Sequence, residues 1–332
     1  MRKAPFYVFV SVLALFFFAF LIFPLFGILK SSVWDGEHFT FAYLAAVFQN
    51  QSIRASFFNS LFIGVAVTIL TTFISLPLAY FFTRTTFPLQ RLFSGLVLLP
   101  MIMPPFVGAL GMRYLFARCG SVNMLFGCDV DWLGGGGLFG VVLLEALHLY
   151  PIMYLNVTAS LASLDESLLE AARMTGAKPL TIWRKIILPL FLPGYFAGAI
   201  LVFIWAFTDL GTPLIFEFRN CLAVNIFDRV TDMHSNAVGY ALVLLMLLAT
   251  CVFFLISKAL SKDVRVISTS KGAQGTSGKK LSAPTLVFVY AFLAVVTLLA
   301  LMPHISVILV AVSDKWFMTV LPESYTLRHF AG

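Results

Sequence analysis

Seven stretches of at least 18 residues carry no Lys or Arg and, but for Glu145, no acid: Phe6–Leu29, Phe58–Phe82, Leu92–Met112, Leu138–Ala162, Leu190–Thr208, Ala237–Ser257 and Pro284–Val312. A helix needs about 20 apolar residues to cross the hydrocarbon core of a bilayer. Within that core every main-chain polar group must be satisfied internally, so runs of this length are read as membrane-spanning helices. Together they take up about half of the 332 residues. Only 11% of the chain is charged, against about 25% in a soluble domain, too little to cover a water-facing surface. A cytosolic enzyme and a disordered chain are both excluded. The first run is preceded by Arg2 and Lys3, as a signal peptide would be. It is longer than the ~7–15 residues of a signal core and lacks a small-residue cleavage site after it, so it reads as a span.

Orientation follows from the basic residues between the runs, because loops rich in Lys and Arg stay on the cytoplasmic side. With the N-terminus inside, 14 of the 22 basic residues fall in inner segments, among them Arg84, Arg91, Arg173, Lys178, Arg184, Lys185 and Lys258. The net charge of +7 is thus spread over short loops that suit an anionic leaflet. It does not form a nucleic-acid surface. A multi-pass inner-membrane protein with a cytoplasmic N-terminus is expected.

The seventh run echoes the first. Phe23–Leu29, Trp34 and Thr40 find counterparts in Met302–Ile308, Trp316 and Thr326, offset by 279 positions at the helix and 286 at the threonine. A chance match of late prolines in apolar helices is the alternative. Read as a repeat, 1–261 forms a six-span domain, 262–283 a basic linker rich in Gly and Ser, and 284–332 the first span of a second domain. A complete second domain would run to about residue 540, so the 332 residues would be one half plus the opening helix of another.

The loop after the fourth run, about 163–189, is built for docking. Ser163 and Glu166 have capping-box spacing, Ala171 and Ala172 permit close approach of another surface, and Gly176 suits a helix stop. Pro179 then suits the start of a second short helix carrying Leu180, Trp183 and Ile187 at helical spacing, with Pro189 expected to end it. The alternative is an amphipathic helix lying on lipid.

Glu170-Ala171-Ala172, three residues, Gly176, nine residues, then Ile186, Leu188 and Pro189 resembles the signature of permease subunits of binding-protein-dependent ABC importers. Phe207–Pro213 and Val238–Ala241 look like stretches of the ferric-iron subgroup, in which two six-helix halves are fused. The resemblance implies an all-α inner-membrane permease whose Glu170, Ala171, Ala172 and Gly176 meet an ATPase subunit. It also implies a cytoplasmic ATPase dimer, a periplasmic solute-binding protein, and a second permease half, fused or supplied by a homodimer. ATP and Mg would be used by the ATPase and no cofactor by this chain. The mechanism implied is alternating access, with ferric iron as expected cargo and 2-aminoethylphosphonate, thiamine or a polyamine as alternatives. No covalent chemistry is expected, so there are no catalytic residues.

Other features are weighed against that reading. Glu145 and His148 share one face of the fourth span, and Asp209 follows the fifth. Ionisable groups at membrane depth are costly and usually face a cavity or partner, so these three line either the translocation path or a helix contact. An ion-coupled secondary transporter would use Glu145 and Asp209; an intramembrane enzyme would need a paired catalytic set, and none is visible. Gly194 and Gly198 permit close helix approach. Gly134–Gly137 reads as a flexible turn, and Gly272–Lys280 fails as a phosphate loop because Ala273 and Lys280 stand at two required positions. Cys119 and Cys128 share one outer loop as thiols or a disulfide, and no cluster has metal-ligand spacing.

Overall fold

The computed structural model describes residues 4–134, 137–164, 166–230, 237–261 and 279–331. In chain order its helices are α1 (Pro5–Val33), α2 (Ala42–Gln49), α3 (Gln51–Arg84), α4 (Gln90–Met101), α5 (Pro105–Phe116), α6 (Ser121–Phe126), α7 (Leu138–Ala162), α8 (Glu166–Met174), α9 (Pro179–Thr208), α10 (Gly211–Ile215), α11 (Leu222–Val230), α12 (Ala237–Ser261) and α13 (Ala283–Ala311). Of these, α1, α3, α7, α9, α12 and α13 are each long and apolar enough to cross a membrane. Two-residue strands β1 (Thr85–Thr86) and β2 (Lys279–Lys280) pair in parallel, while β3 (Ser313–Lys315) and β4 (Ser324–Tyr325) pair antiparallel. The expected all-α polytopic architecture is what the chain forms. Most of the expected linker, 262–278, lies outside the described residues.

The third apolar run departs from expectation. Instead of one straight helix over Leu92–Met112, α4 and the segment Pro105–Phe126 meet at a bend of 96°. The sequence Pro100-Met-Ile-Met-Pro104-Pro105 gives the reason. Neither Pro104 nor Pro105 has an N–H to continue the helical ladder. A residue before proline is also pushed out of the α region, and Pro104 is extended at φ −57°, ψ 141°.

The chain forms two compact units. One comprises residues 1–59 and 220–252; its buried side chains include Val47, Ile53, Leu222, Val224 and Leu242. It is tied by Asn59 Nδ2 donating to the Asn220 carbonyl (2.8 Å) and Asn225 Nδ2 donating to Ser56 Oγ (2.9 Å). Just after α1, Trp34 and Phe39 form an antiparallel bridge that the Thr40 N–H closes onto the Val33 carbonyl at 2.8 Å.

The other unit, residues 60–219 and 253–332, is organised around α7. In α7, 72% of the apolar window is buried, more than in any other span. Helix α9 runs against it, and Gly194 and Gly198 make the approach possible: a Cβ at Gly194 would collide with Ser160 Oγ, and one at Gly198 would press on Asn156 and Met153. Ser75 Oγ donates to the Tyr150 carbonyl and Tyr150 Oη to the Val97 carbonyl, both at 2.8 Å. These bonds tie α3 and the end of α4 to α7. Helix α13 packs on α5, where a Cβ at Gly111 would collide with the Pro303 carbonyl. The strands β3 and β4 follow α13, and the Thr326 N–H closes them onto the Val312 carbonyl at 2.8 Å.

Candidate functional site

Helix α8 and the start of α9 form the loop that the sequence marks for docking. The helix begins at Glu166, later than the capping-box spacing implies, because Ser163 belongs to the end of α7: its N–H donates to the Ala159 carbonyl and its Oγ to the Ser160 carbonyl at 2.8 Å. At the far end Gly176 adopts φ +80°. Its N–H donates to the Arg173 carbonyl (2.9 Å) and that of Ala177 to the Ala172 carbonyl (3.1 Å), the paired 5→2 and 6→1 bonds that close a helix on a left-handed residue. No atom lies within 4 Å of a Cβ placed at Gly176. What demands glycine here is backbone conformation, since a side chain at this φ costs about 1 kcal/mol or more.

Pro179 starts the second helix as expected, but Pro189 does not end it. The helix continues unbroken from Pro179 to Thr208, with Pro189 at the first turn after a π-turn over Trp183–Ile187. In that turn the Leu188 N–H reaches back to the Trp183 carbonyl. The i→i+5 register takes up one extra residue, which places Pro189 where its missing N–H is not needed. Ile186, Leu188 and Pro189 are half-buried at this junction. Leu169 and Ile182 anchor the loop with 7% and 6% exposure, while Glu170 and Ala171 are exposed and Met174, Leu180 and Trp183 present 89%, 68% and 50% of their surfaces. A small-residue patch thus lies beside protruding apolar side chains.

Within the spans, Glu145 is 1% exposed on α7. Thr212 Oγ1 donates to Glu145 Oε1 at 2.6 Å, and the Thr212 N–H donates to Asp209 Oδ2 at 2.8 Å. One residue of α10 thus joins the two acids singled out in the sequence. The signal for Thr212 was its place in Phe207–Pro213, three positions after Asp209, but no periodicity pairs α10 with α7. His148 takes no part in these hydrogen bonds, although Asp209 is near enough to act on its ring. Its ring lies beside the Pro100 carbonyl at the bend in the third span, on a small cavity that it lines with His304 of α13. His304 had no signal beyond a lone imidazole in an apolar run.

The loop between α6 and α7 is organised by Asn123, which is fully buried. Its Nδ2 donates to the Arg118 and Val130 carbonyls, both at 2.8 Å, and its Oδ1 accepts from Trp132 Nε1 (2.7 Å) and Cys128 Sγ (3.2 Å). Cys119 and Cys128 are both free thiols.

A polytopic helical chain with this paired-helix loop has the make-up of a transport permease. It belongs to the binding-protein-dependent transport system inner membrane component family, which it matches over residues 72–266. It is 31% identical over 214 residues to the ferric transport system permease protein FbpB of Actinobacillus pleuropneumoniae, covering 62% of this chain and 30% of that protein. It is 28% identical over 216 residues to the molybdenum transport system permease protein ModB of Mycobacterium bovis, covering 62% of this chain and 80% of that protein. The chain thus spans about a third of the ferric relative and most of the molybdenum one. Its fold is like that of a bacterial ABC transporter involved in import of the acidic polysaccharide alginate, with a TM-score of 0.63 at 16% identity over 80% of this chain and 97% of that one.

Proposed function

We propose that this chain is the membrane-spanning part of an ATP-driven importer. It takes a solute from a periplasmic binding protein and passes it to the cytoplasm, while a separate ATPase dimer supplies the phosphate chemistry. The observation that carries this reading is the α8–α9 loop: its Glu170-Ala171-Ala172 and Gly176 match the family signature, and its exposed apolar side chains offer an ATPase something to grip. With the N-terminus inside, this loop faces the cytoplasm, as the reading requires. Glu145, Thr212 and Asp209 are assigned to the wall of the translocation path, joined across α7 and α10.

Residues 1–261 are read as one permease half, 262–283 as a linker and 284–332 as the opening of a second. Support comes from the Thr-to-Val closure after α1, which recurs after α13 at the same offsets as the sequence echo. Ferric iron is the proposed cargo, by likeness to the ferric permease. Molybdate is the second reading, because the molybdenum permease is matched over most of its length.

Cysteine placed at Ala171, paired with single cysteines introduced across the membrane-facing surface of the ATPase subunit, is expected to form a disulfide on oxidation that ATP binding alters; absence of a cross-link to every such position under all nucleotide conditions would refute the docking assignment. Calorimetry of the cognate binding protein with ferric ion and with molybdate decides the cargo, and tight molybdate binding without ferric binding would overturn iron.

A further inference from the structure

The bend in the third span leaves a specific atom in need. In an unbroken helix the Pro100 carbonyl would accept from the N–H of residue 104, but Pro104 has none, and no other main-chain donor among the described residues takes its place. At membrane depth an orphaned carbonyl has no bulk water to turn to, and broken helices persist there only where protein or a local water supplies partners. Two imidazoles stand beside this carbonyl, His148 from α7 and His304 from α13. His148 is 7% exposed. Both ring nitrogens of His304 are buried, and neither meets a partner in hydrogen-bonding geometry, although the carbonyls of Ala300 and Pro100 are near.

The cavity that these residues share, lined also by Pro104, Gly108 and Leu144, has a free volume of about 10 Å³. That is the space of one water, and such a water needs two to four polar partners. The two rings and the carbonyl supply them. His304 is also placed to act on both arms of the bend at once. Its helix α13 packs along α5 through Gly108 and Gly111, which approach Pro303, while its ring faces the end of α4.

We propose that His148 and His304 latch the broken third span: they satisfy the Pro100 carbonyl, His304 through one bound water, and so hold α4 and α5 at their angle. His304 is then a positioning residue contributed by the seventh span, and the site it completes is a hydration site.

The test is hydrogen–deuterium exchange on the complete transporter carrying this chain, with its ATPase, in nanodiscs. It reads main-chain opening and does not depend on which solute is carried. In His304→Leu, the amides of Met101, Ile102, Met103, Phe106 and Val107 are expected to exchange about tenfold faster than in the parent, with α12 unchanged. His304→Gln, which can still hydrogen-bond the water, should return to within about twofold of the parent. His148→Leu should also accelerate the same amides. Unchanged exchange in His304→Leu, or a Gln variant no better protected than Leu, would overturn the latch. If His304→Leu does not assemble, parent, Gln and Phe variants make the same comparison, and equal protection in Gln and Phe overturns it. A density map at about 2 Å should show a water peak in reach of His304 and the Pro100 carbonyl; a direct ring-to-carbonyl bond there would remove the water from the proposal.

Discussion

Helices α1 and α13 are the same length, 29 residues, and nearly equal in mean hydropathy, 2.8 and 2.6. Each carries a late proline, Pro24 or Pro303, and each is followed by a small hairpin closed by a Thr N–H on a Val carbonyl at 2.8 Å. Yet none of the apolar window of α1 is buried among the described residues, against 28% of that of α13. The side chains of Leu293, Val296, Ala300 and Pro303 are buried, and those of Phe9 and Phe20 stand 66% and 73% exposed. Hydropathy does not distinguish the two, because lipid is as apolar as a leucine side chain. What separates them is a partner with small residues in register: Gly111 of α5 lets the Pro303 backbone in, whereas Gly27 of α1 meets nothing within 4 Å. The hairpins differ in how they are held. Asp35 accepts the His38 and Glu37 N–H groups, which hold its carboxyl below the usual carboxylate range, while Asp314 pairs with Arg328.

The contrast can be broken by substitution, and the largest effect belongs to the glycines. Gly111→Leu should destabilise the purified protein by about 3 kcal/mol or prevent assembly, since the backbone it would strike cannot give way. Gly27→Leu should stay within about 0.5 kcal/mol. Thermal unfolding in detergent, followed by size-exclusion, compares them; equal losses would mean that α1 is packed as closely as α13. Next in size, Leu293→Ala should cost about 2–4 kcal/mol and Phe20→Ala under about 0.5. If Phe20→Ala costs as much as Leu293→Ala, the contrast between the two helices fails.

Removing the closing N–H with Thr40→Pro or Thr326→Pro should cost about 1 kcal/mol each, read by exchange of the neighbouring amides. Like effects sharpen the repeat, and a difference above about 1 kcal/mol would count against it. The smallest effect concerns buried hydroxyls. Ser32 Oγ on α1 donates to the Leu29 carbonyl at 2.8 Å, but Ser306 Oγ and Thr297 Oγ1 on α13 have no partner among the described residues. Ser306→Ala and Thr297→Val should therefore be neutral or stabilising by up to about 1 kcal/mol in the same assay, with Ser32→Ala mildly destabilising. Clear loss of stability in Ser306→Ala would mean that its hydroxyl is satisfied in the membrane.

Much of this was readable beforehand, and unevenly. Leu138–Ala162 came out with both ends as expected, because glycines precede it and a polar segment follows it. The stop at Gly176 was equally legible, since a left-handed closure after a short helix selects for glycine. Pro189 and the prolines of the third run behave in opposite ways. A proline was expected to end α9 and does not, because a π-turn absorbs it. The third run, expected to cross as one span, holds three prolines, and its helix breaks there. Local sequence sets the missing N–H groups, but whether a helix absorbs or yields to them depends on what can satisfy the freed carbonyls. For Pro100 those groups come from α7 and α13, nearly 50 and more than 200 positions along the chain.

The chain's own order of residues determined the apolar nature of the spans, the helix–glycine–helix loop and the family to which it belongs, because these rest on short-range needs: apolar length, caps and the φ of single residues. Tertiary structure alone decided which elements surround the bend in the third span, that Thr212 joins Glu145 to Asp209, and that α13 is packed where α1, among the described residues, is bare. Those outcomes depend on which distant surface offers a hydrogen-bond partner or a glycine-lined groove. No period within an apolar run encodes that.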